Sequence, residues 1–362
     1  MDNKKNKILI TGSSGYVGAM LVDQFCDRED VEMVLGIDKE NKPQIIENKN
    51  KFKFIKADLS DNEWQKTAEE FAPDIVIHTA WQIREMYGQK DKQWKINVGT
   101  ADNVFKFAFE TESVKKLIHF STVASYSAYP ENTIEQRFYP EDSFRKSDYL
   151  YAEEKRIVEE HLKQKFEEAK TQNLYRPQVF IIRPAAITGP RGRYMRVRFG
   201  LQSALSGQLK DSKSIWHKLV SLLVSFTPIT KKWARQFIHE DDICGIVETF
   251  SFKDWQGLDY EIVNAAPPGK IVLGQDMAKA VNKKAILLPP WVIRIAFFFM
   301  WHLSLGKIPT SKGGWKSYSY PIIVDGSKVT EKFGYNYSMS SLDAFTKIEG
   351  KYAKYVGSDV RN

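Results

Sequence analysis

Short, almost continuous apolar runs alternate, through the first half of the chain, with longer stretches whose apolar residues return every three to four positions. Lys7–Thr11, Val31–Ile37, Phe52–Leu59, Asp74–Ala80, Lys116–Thr122 and Val179–Pro184 are the runs. Their length and their valine and isoleucine content predict strands buried on both faces. Tyr16–Cys26, Asp61–Phe71, a segment near Gln93–Glu110 and the stretch carrying Tyr151 and Lys155 have helical spacing. Strand, helix and strand repeating in this order predict a parallel sheet with helices on both faces, because parallel neighbours need a crossover connection. The expected fold class is therefore α/β, a doubly wound parallel sheet of the Rossmann type.

Past Pro184 the alternation breaks down. Gly189-Pro190-Arg191-Gly192 reads as a loop, the segment to Lys232 as irregularly amphipathic helix, Phe237–Phe252 as a return to the sheet, and Tyr260–Asn264 as a short strand. Residues 1–185, with 237–265 returning to them, are expected to form a nucleotide-binding domain. Residues 186–236 and 266–362 are expected to form a smaller, discontinuous substrate-binding domain over the strand ends. Trp291–Trp301 is apolar on nearly every helical face. Burial in the small domain is the leading expectation for it, and peripheral contact with a membrane surface, through Trp291, Trp301 and nearby lysines, the lesser one. The run is short of the roughly 20 residues that cross a bilayer.

Composition changes this picture little. The chain has 362 residues, 43% hydrophobic and 27% charged, with no repeat, which fits one or two globular domains. Cys26 and Cys244 are the only cysteines, too few for a disulfide framework or a cysteine-ligated metal. With the amino terminus leading straight into the first strand, a cytoplasmic protein is expected. Net charge is +8. Its densest part, Arg191, Arg193, Arg196 and Arg198 with Lys231, Lys232 and Arg235, flanks the expected substrate pocket and suits an anionic small molecule better than nucleic acid.

Chemistry enters where strands end. The first strand runs into Gly12-Ser13-Ser14-Gly15-Tyr16-Val17-Gly18, a turn that aims backbone N–H groups and a helix dipole at an anion. Gly12 permits the turn, Gly15 the approach of phosphates, and Gly18 close packing of helix on strand. Asp38 ends the second strand, where an acid can bond adenosine ribose hydroxyls, so NAD is favoured over NADP; Lys39 beside it can tolerate a 2′-phosphate. Tyr151 and Lys155, four apart, share a helix face, and an ammonium there would lower the phenol's pKa and fit it for proton transfer. Tyr149 meets Glu153 instead, which would raise it. Thr122, at the end of the fifth strand, can bond the same substrate oxygen. His239, Asp241 and Asp242 read as a structural cluster at a helix start, with no metal expected.

These residues resemble the extended short-chain dehydrogenase/reductases, specifically the NAD-dependent epimerase/dehydratase group. Thr11–Gly18 is similar to its TGxxGxxG, Asp58-Leu59 to its adenine-contacting pair, and His78-Thr79-Ala80 to its fourth-strand motif, with Trp81 where a small alanine is usual. Asn97 matches its structural asparagine, and Phe120–Tyr126 its serine/threonine motif, with Ser127 in place of a common glycine. Arg183-Pro184 through Gly189-Pro190, and Phe237–Asp242, resemble two later motifs. The resemblance implies hydride transfer at a secondary alcohol or ketone, with Thr122, Tyr151 and Lys155 catalytic. Gly12, Gly15, Tyr16, Val17, Gly18, Asp38, Asp58, Leu59, Ala80, Asn97, Lys155 and Pro184 would hold the cofactor. Trp81, Ala186 and Arg235 would face a small-molecule substrate. Ala186 stands where nucleotide-sugar epimerases have a diphosphate-binding asparagine, whereas Arg235 matches their phosphate-binding arginine. Arg183-Pro184-Ala185-Ala186 and Trp81 are more like the hydroxysteroid-dehydrogenase branch. A nucleotide-sugar epimerase or dehydratase with retained NAD is the alternative enzyme, and an NAD(P)-sensing protein without turnover the alternative of another class. A homodimer paired through the Tyr151 helix is expected by analogy.

Overall fold

The computed structural model describes residues 5–192, 215, 226–280, 283–347 and 349–355. In chain order it begins β1 (Asn6–Thr11), α1 (Tyr16–Cys26), β2 (Val31–Asp38), β3 (Phe52–Lys56), α2 (Glu63–Phe71) and β4 (Ile75–His78). There follow α3 (Lys90–Trp94), a π-helical turn (Lys95–Gly99), α4 (Thr100–Glu110), β5 (Lys116–Phe120), α5 (Leu150–Thr171) and β6 (Gln178–Pro184). Beyond these lie β7 (Ala186–Thr188), β8 (Thr227–Ile229), β9 (Ala234–Arg235), β10 (Phe237–His239), α6 (Glu240–Phe252) and β11 (Tyr260–Ala265).

Seven strands pair in the order β11-β6-β5-β4-β1-β2-β3, every pairing parallel. Alternation within the strands builds a core on each face. Ile8 and Ile10 of β1, Ile75 and Ile77 of β4, and Phe180 and Ile182 of β6 pack with α1 and α6 on one side. Leu9, Val76, Val179 and Ile181 pack with α2, α4 and α5 on the other. The strands were expected to be apolar at every position for this reason. Strand order reverses between β1 and β4, and that reversal opens the crevice where doubly wound sheets take their ligands.

Boundaries differ from expectation where loops need the residues. β3 stops at Lys56 and β4 at His78, and the helix expected over Gln93–Glu110 is broken by the π turn, which buries Asn97. The expected helical segment up to Lys232, with Arg193, Arg196 and Arg198, lies outside the described residues.

The carboxy-terminal part adds β12 (Val272–Leu273), α7 (Gly274–Ala280), β13 (Ala285–Leu287), α8 (Pro290–Leu303) and α9 (Gly314–Ser319). Here the expectation of burial for Trp291–Trp301 is corrected. Only Ile293, Phe297 and Trp301 of α8 are buried, four apart along one face, while most of its other apolar side chains are exposed. Hydropathy ranks side chains but cannot say how many neighbours a helix will find, and α8 lies with one face on α9 and the other outward. Among the described residues, no helix is long and apolar enough to cross a membrane.

Candidate active site

The glycines at the end of β1 are spaced by backbone contact. Gly12 has φ +73°, and a Cβ there would lie 2.5 Å from the Ala80 nitrogen. A Cβ on Gly18 would lie 2.1 Å from the Gly12 carbonyl oxygen. Only glycine allows β1, α1 and the loop after β4 at Ala80 to approach this closely. Gly15 caps α1 without a side chain and is exposed, so the first amides of the helix are open to a ligand. Beside them the Ser13 and Ser14 hydroxyls are buried with no protein partner. Orphaned hydroxyls at a helix N-terminus fit a diphosphate, and these residues fit a dinucleotide.

Asp38, at the tip of β2, accepts the Ser14 amide at Oδ2 and the Glu40 amide at Oδ1, each at 2.9 Å. Asp58 is exposed and accepts the Ser60 amide at 2.9 Å; that bond, with the Ser60 hydroxyl and Lys39 and Lys95, holds its carboxyl below the usual range although burial opposes them. Leu59 is buried with Trp64 and α4, and Pro184 closes β6. Val17 packs against the core, and the Tyr16 hydroxyl donates to buried Glu240, which also accepts the Arg191 and Gly192 amides. The Glu240 carboxylate thus pins the loop after β7 to the start of α1.

At the other end of the crevice Tyr151, in the first turn of α5, has the Thr122 hydroxyl as the neighbour that favours its phenolate, and Thr122 accepts the Ala124 amide at 3.1 Å. One expectation is corrected. Burial raises the Tyr151 pKa, and the only opposing influence is Thr122; Lys155 does not lower it. The Lys155 ammonium is buried, donates to the Phe120 carbonyl and stands 3.5 Å from the centre of the Trp81 ring. Burial drives its own pKa well down, against the pull of Glu159 and Glu154. Tyr149 is raised, as expected, but by burial, Tyr151 and Glu85. Glu153 is occupied instead by the Arg156 guanidinium at 2.7 Å and the Ser147 amide at 3.0 Å.

Sequence reasoning missed the buried network behind this pair. Asn97 Nδ2 donates to Glu154 Oε2 at 2.7 Å and to the Gln82 carbonyl at 3.0 Å, while its Oδ1 accepts the Gln82 amide at 2.8 Å. Gln93 Nε2 also donates to Glu154, at 3.1 Å, and its Oε1 accepts the Met86 amide at 2.7 Å. The loop 82–86 is thereby tied to α5 beside Lys155. Burial raises the Glu154 pKa despite the amides of Asn97 and Gln93. An acid immediately before the lysine was the available signal, but acids on helices ordinarily face water. Ser127 keeps the left-handed backbone of the glycine it replaces, at φ +66°, and its hydroxyl donates to the Arg145 carbonyl at 2.9 Å.

Of the expected substrate residues, Trp81 covers Lys155 and its indole nitrogen is buried without a partner. Ala186 packs against a cluster of Ile229, Trp233, Phe237, Val272, Met277 and Ala344, which Ile308 and Tyr318 also border. Arg235 lies over Trp233 at 5.3 Å and donates to the Ala234, Tyr320 and Ser317 carbonyls; burial pushes it down to about 10. The expected basic surface is partly internal, since Arg191 is buried and donates to the Tyr16 carbonyl at 2.6 Å. His239 caps α6 by accepting the Asp241 amide at 3.2 Å, and Asp242 accepts the Tyr335 hydroxyl at 2.9 Å.

A glycine cradle at the switch point of a parallel sheet, with a tyrosine and lysine one helical turn apart beside it, defines a dinucleotide-dependent enzyme. The chain belongs to the NAD dependent epimerase/dehydratase family, whose pattern matches residues 8–266. It is 29% identical over 130 residues to the UDP-glucose 4-epimerase of Mycolicibacterium smegmatis, a match covering 34% of this chain and 41% of that protein. It is 25% identical over 300 residues to the decarboxylating sterol-4-alpha-carboxylate 3-dehydrogenase of Schizosaccharomyces pombe, covering 80% and 77%. The fold is that of the Bordetella bronchiseptica enzyme WbmG solved in complex with NAD, with TM-score 0.69, 19% identity, and 98% and 96% of the two chains covered.

Proposed function

We propose that this chain is an NAD-dependent oxidoreductase acting on the carbon of a secondary alcohol or ketone, with Tyr151 as acid/base. The observation that carries the proposal is the placement of the Tyr151 phenol beside the Thr122 hydroxyl at the sheet's carboxyl edge. NAD held over the glycine turn supplies the acceptor or donor of hydride. In oxidation the Tyr151 phenolate takes the alcohol proton; in reduction the phenol returns it to the oxygen left on carbon. Thr122 gives that oxygen its second hydrogen bond, and Lys155 orients the ribose next to the reacting ring. The raised phenol pKa leaves Tyr151 protonated at neutral pH, ready for the reductive direction.

Residues 186–236 and 266–362 form the substrate-binding part of the reading, and an apolar substrate is favoured because Ala186 opens onto aromatic and aliphatic side chains. A nucleotide sugar is the second reading. Arg235 favours it, a guanidinium that donates to the neutral carbonyls of Ala234, Tyr320 and Ser317, so that its charge suits a diphosphate. The protein resides in the cytoplasm as a homodimer paired through α5, which sedimentation velocity tests. Tyr151→Phe is expected to lower turnover about 100-fold or more, with NAD affinity nearly intact by fluorescence titration. Near-normal turnover would remove Tyr151 from the chemistry. A panel of hydroxysteroid-like alcohols and UDP-sugars, followed by NADH absorbance and by release of retained NAD, separates the two substrate classes. Absence of hydride transfer across the whole panel would favour a cofactor sensor.

A further inference from the structure

The exposed face of α8 is too apolar for a surface that meets only water. Trp291, Phe298, Phe299 and Leu303 are 63%, 58%, 55% and 69% exposed, and with Ile295 they follow a helical stripe opposite the buried Ile293, Phe297 and Trp301. Leu287 before the helix and Leu305 after it are also exposed. Scattered apolar side chains are ordinary on surfaces, but a continuous stripe on one helix marks a binding face.

Charge identifies the occupant. From Met277 to Val324 the sequence holds seven lysines and arginines and no aspartate or glutamate, whereas the other 314 residues hold 46 basic and 45 acidic side chains. Almost the whole net charge of the protein thus accompanies the apolar stripe. Lys284, Arg294, Lys307 and Lys312 of this stretch are exposed. A one-sided aromatic helix among cations, too short to span, is built to lie in the headgroup layer of an anionic bilayer.

The inner face of α8 is anchored. Phe297 packs on Tyr318 at 5.6 Å, and Thr310 donates to the Phe297 carbonyl at 3.0 Å. Trp301 lies against Tyr87 at 5.4 Å, next to the loop that Asn97 and Gln93 tie to α5. We propose that the outer face of α8 docks the protein onto anionic membrane surfaces, holding the candidate active site beside the lipid. The docking does not depend on the proposed chemistry.

Co-sedimentation with vesicles of phosphatidylglycerol and phosphatidylcholine tests it on the full chain without substrate. Binding is expected to the mixed vesicles, to weaken in 0.5 M salt, and to be lost on pure phosphatidylcholine. Phe298→Ser with Leu303→Ser should reduce partitioning at least about tenfold, with NAD affinity and melting temperature unchanged. Each basic residue contributes about fivefold near such a surface, so Lys284, Arg294, Lys307 and Lys312 all changed to Gln should lower it at least about 100-fold, a variant that leaves the apolar stripe intact. No binding to the mixed vesicles overturns the proposal. So does a dimer that the Phe298/Leu303 variant dissolves, which would assign the face to a second copy, or equal binding to neutral vesicles.

Discussion

Asp38 has two tasks for one carboxylate. It stands where a ribose would be read, and it already accepts the Ser14 amide in the phosphate turn. Asp38→Ala is expected to weaken NAD by about tenfold or more, the scale of a hydrogen bond to a charged group, and to weaken NADP less, because NADP's 2′-phosphate repels the same charge. Fluorescence titration of both cofactors checks this; equal losses would show that the carboxylate serves only the turn. The position of Asp38 was legible because the tip of the strand after a glycine turn and its helix fixes its place. Tyr151 and Lys155 were legible in the same way, from a spacing of four on a helix. Where the lysine points was not, since Trp81, in the loop after β4, and the Phe120 carbonyl of β5 that capture it lie 74 and 35 residues earlier in the chain.

At the scale of the element, α5 is a helix whose inner face is charged. Two turns beyond Tyr151, Glu159 meets Arg183 of β6 at 2.7 Å, both side chains buried, and Arg183 also bonds the Tyr126 hydroxyl at 2.7 Å and the Pro140 carbonyl at 2.9 Å. Removing one partner of such a pair leaves a buried charge uncompensated. Glu159→Gln is therefore expected to cost about 3–5 kcal/mol in urea unfolding and to lower turnover as the helix carrying Tyr151 loses its seat. A loss below about 1 kcal/mol would mean that Tyr126 and Pro140 alone satisfy Arg183. By composition α5 is a polar helix, and polar helical residues ordinarily face water; three of its charged residues, Glu154, Lys155 and Glu159, are nevertheless buried. Helix α8 erred in the opposite sense. Both errors share a cause, because periodicity reports what a side chain prefers while the partners that decide its burial lie far away in sequence.

Over the whole molecule, the parallel sheet was readable because its strands are largely apolar on both sides, and two buried histidines among their polar exceptions bear on its acid stability. His78 of β4 and His119 of β5 sit in register, their rings stacked 5.4 Å apart with Phe105 edge-on to both. Both are buried; His78 Nδ1 bonds Thr11 Oγ1 at 2.7 Å, and neither nitrogen of His119 has a protein partner. Burial, with nearby Lys155, pushes His78 down to about 3 and His119 well below its usual value. In the unfolded chain both titrate near 6.5. Between about pH 6.5 and 3 the unfolded state therefore binds more protons, so stability is complete above the unfolded value and falls as the solution is acidified. The slope is about 1.4 kcal/mol per pH unit for each histidine, near 2.7 for the pair. Carboxylates held low by ion pairs, such as Asp30 with Arg28 and Asp148 with Lys316, add their losses only nearer pH 4. The interval from pH 6.5 to 5 thus lies above most carboxylate losses, and the share of a histidine is read there as the difference between the protein and a variant lacking it. His119→Phe, which keeps an aromatic ring against Phe105, is expected to lower the slope of unfolding free energy against pH there by about 1.4 kcal/mol per pH unit, measured by urea midpoints at pH 7.5, 6.5, 5.5 and 5.0. An unchanged slope would mean that the stacked pair opens to water and protonates without unfolding the sheet, and the acid sensitivity of the fold would then have to come from another group.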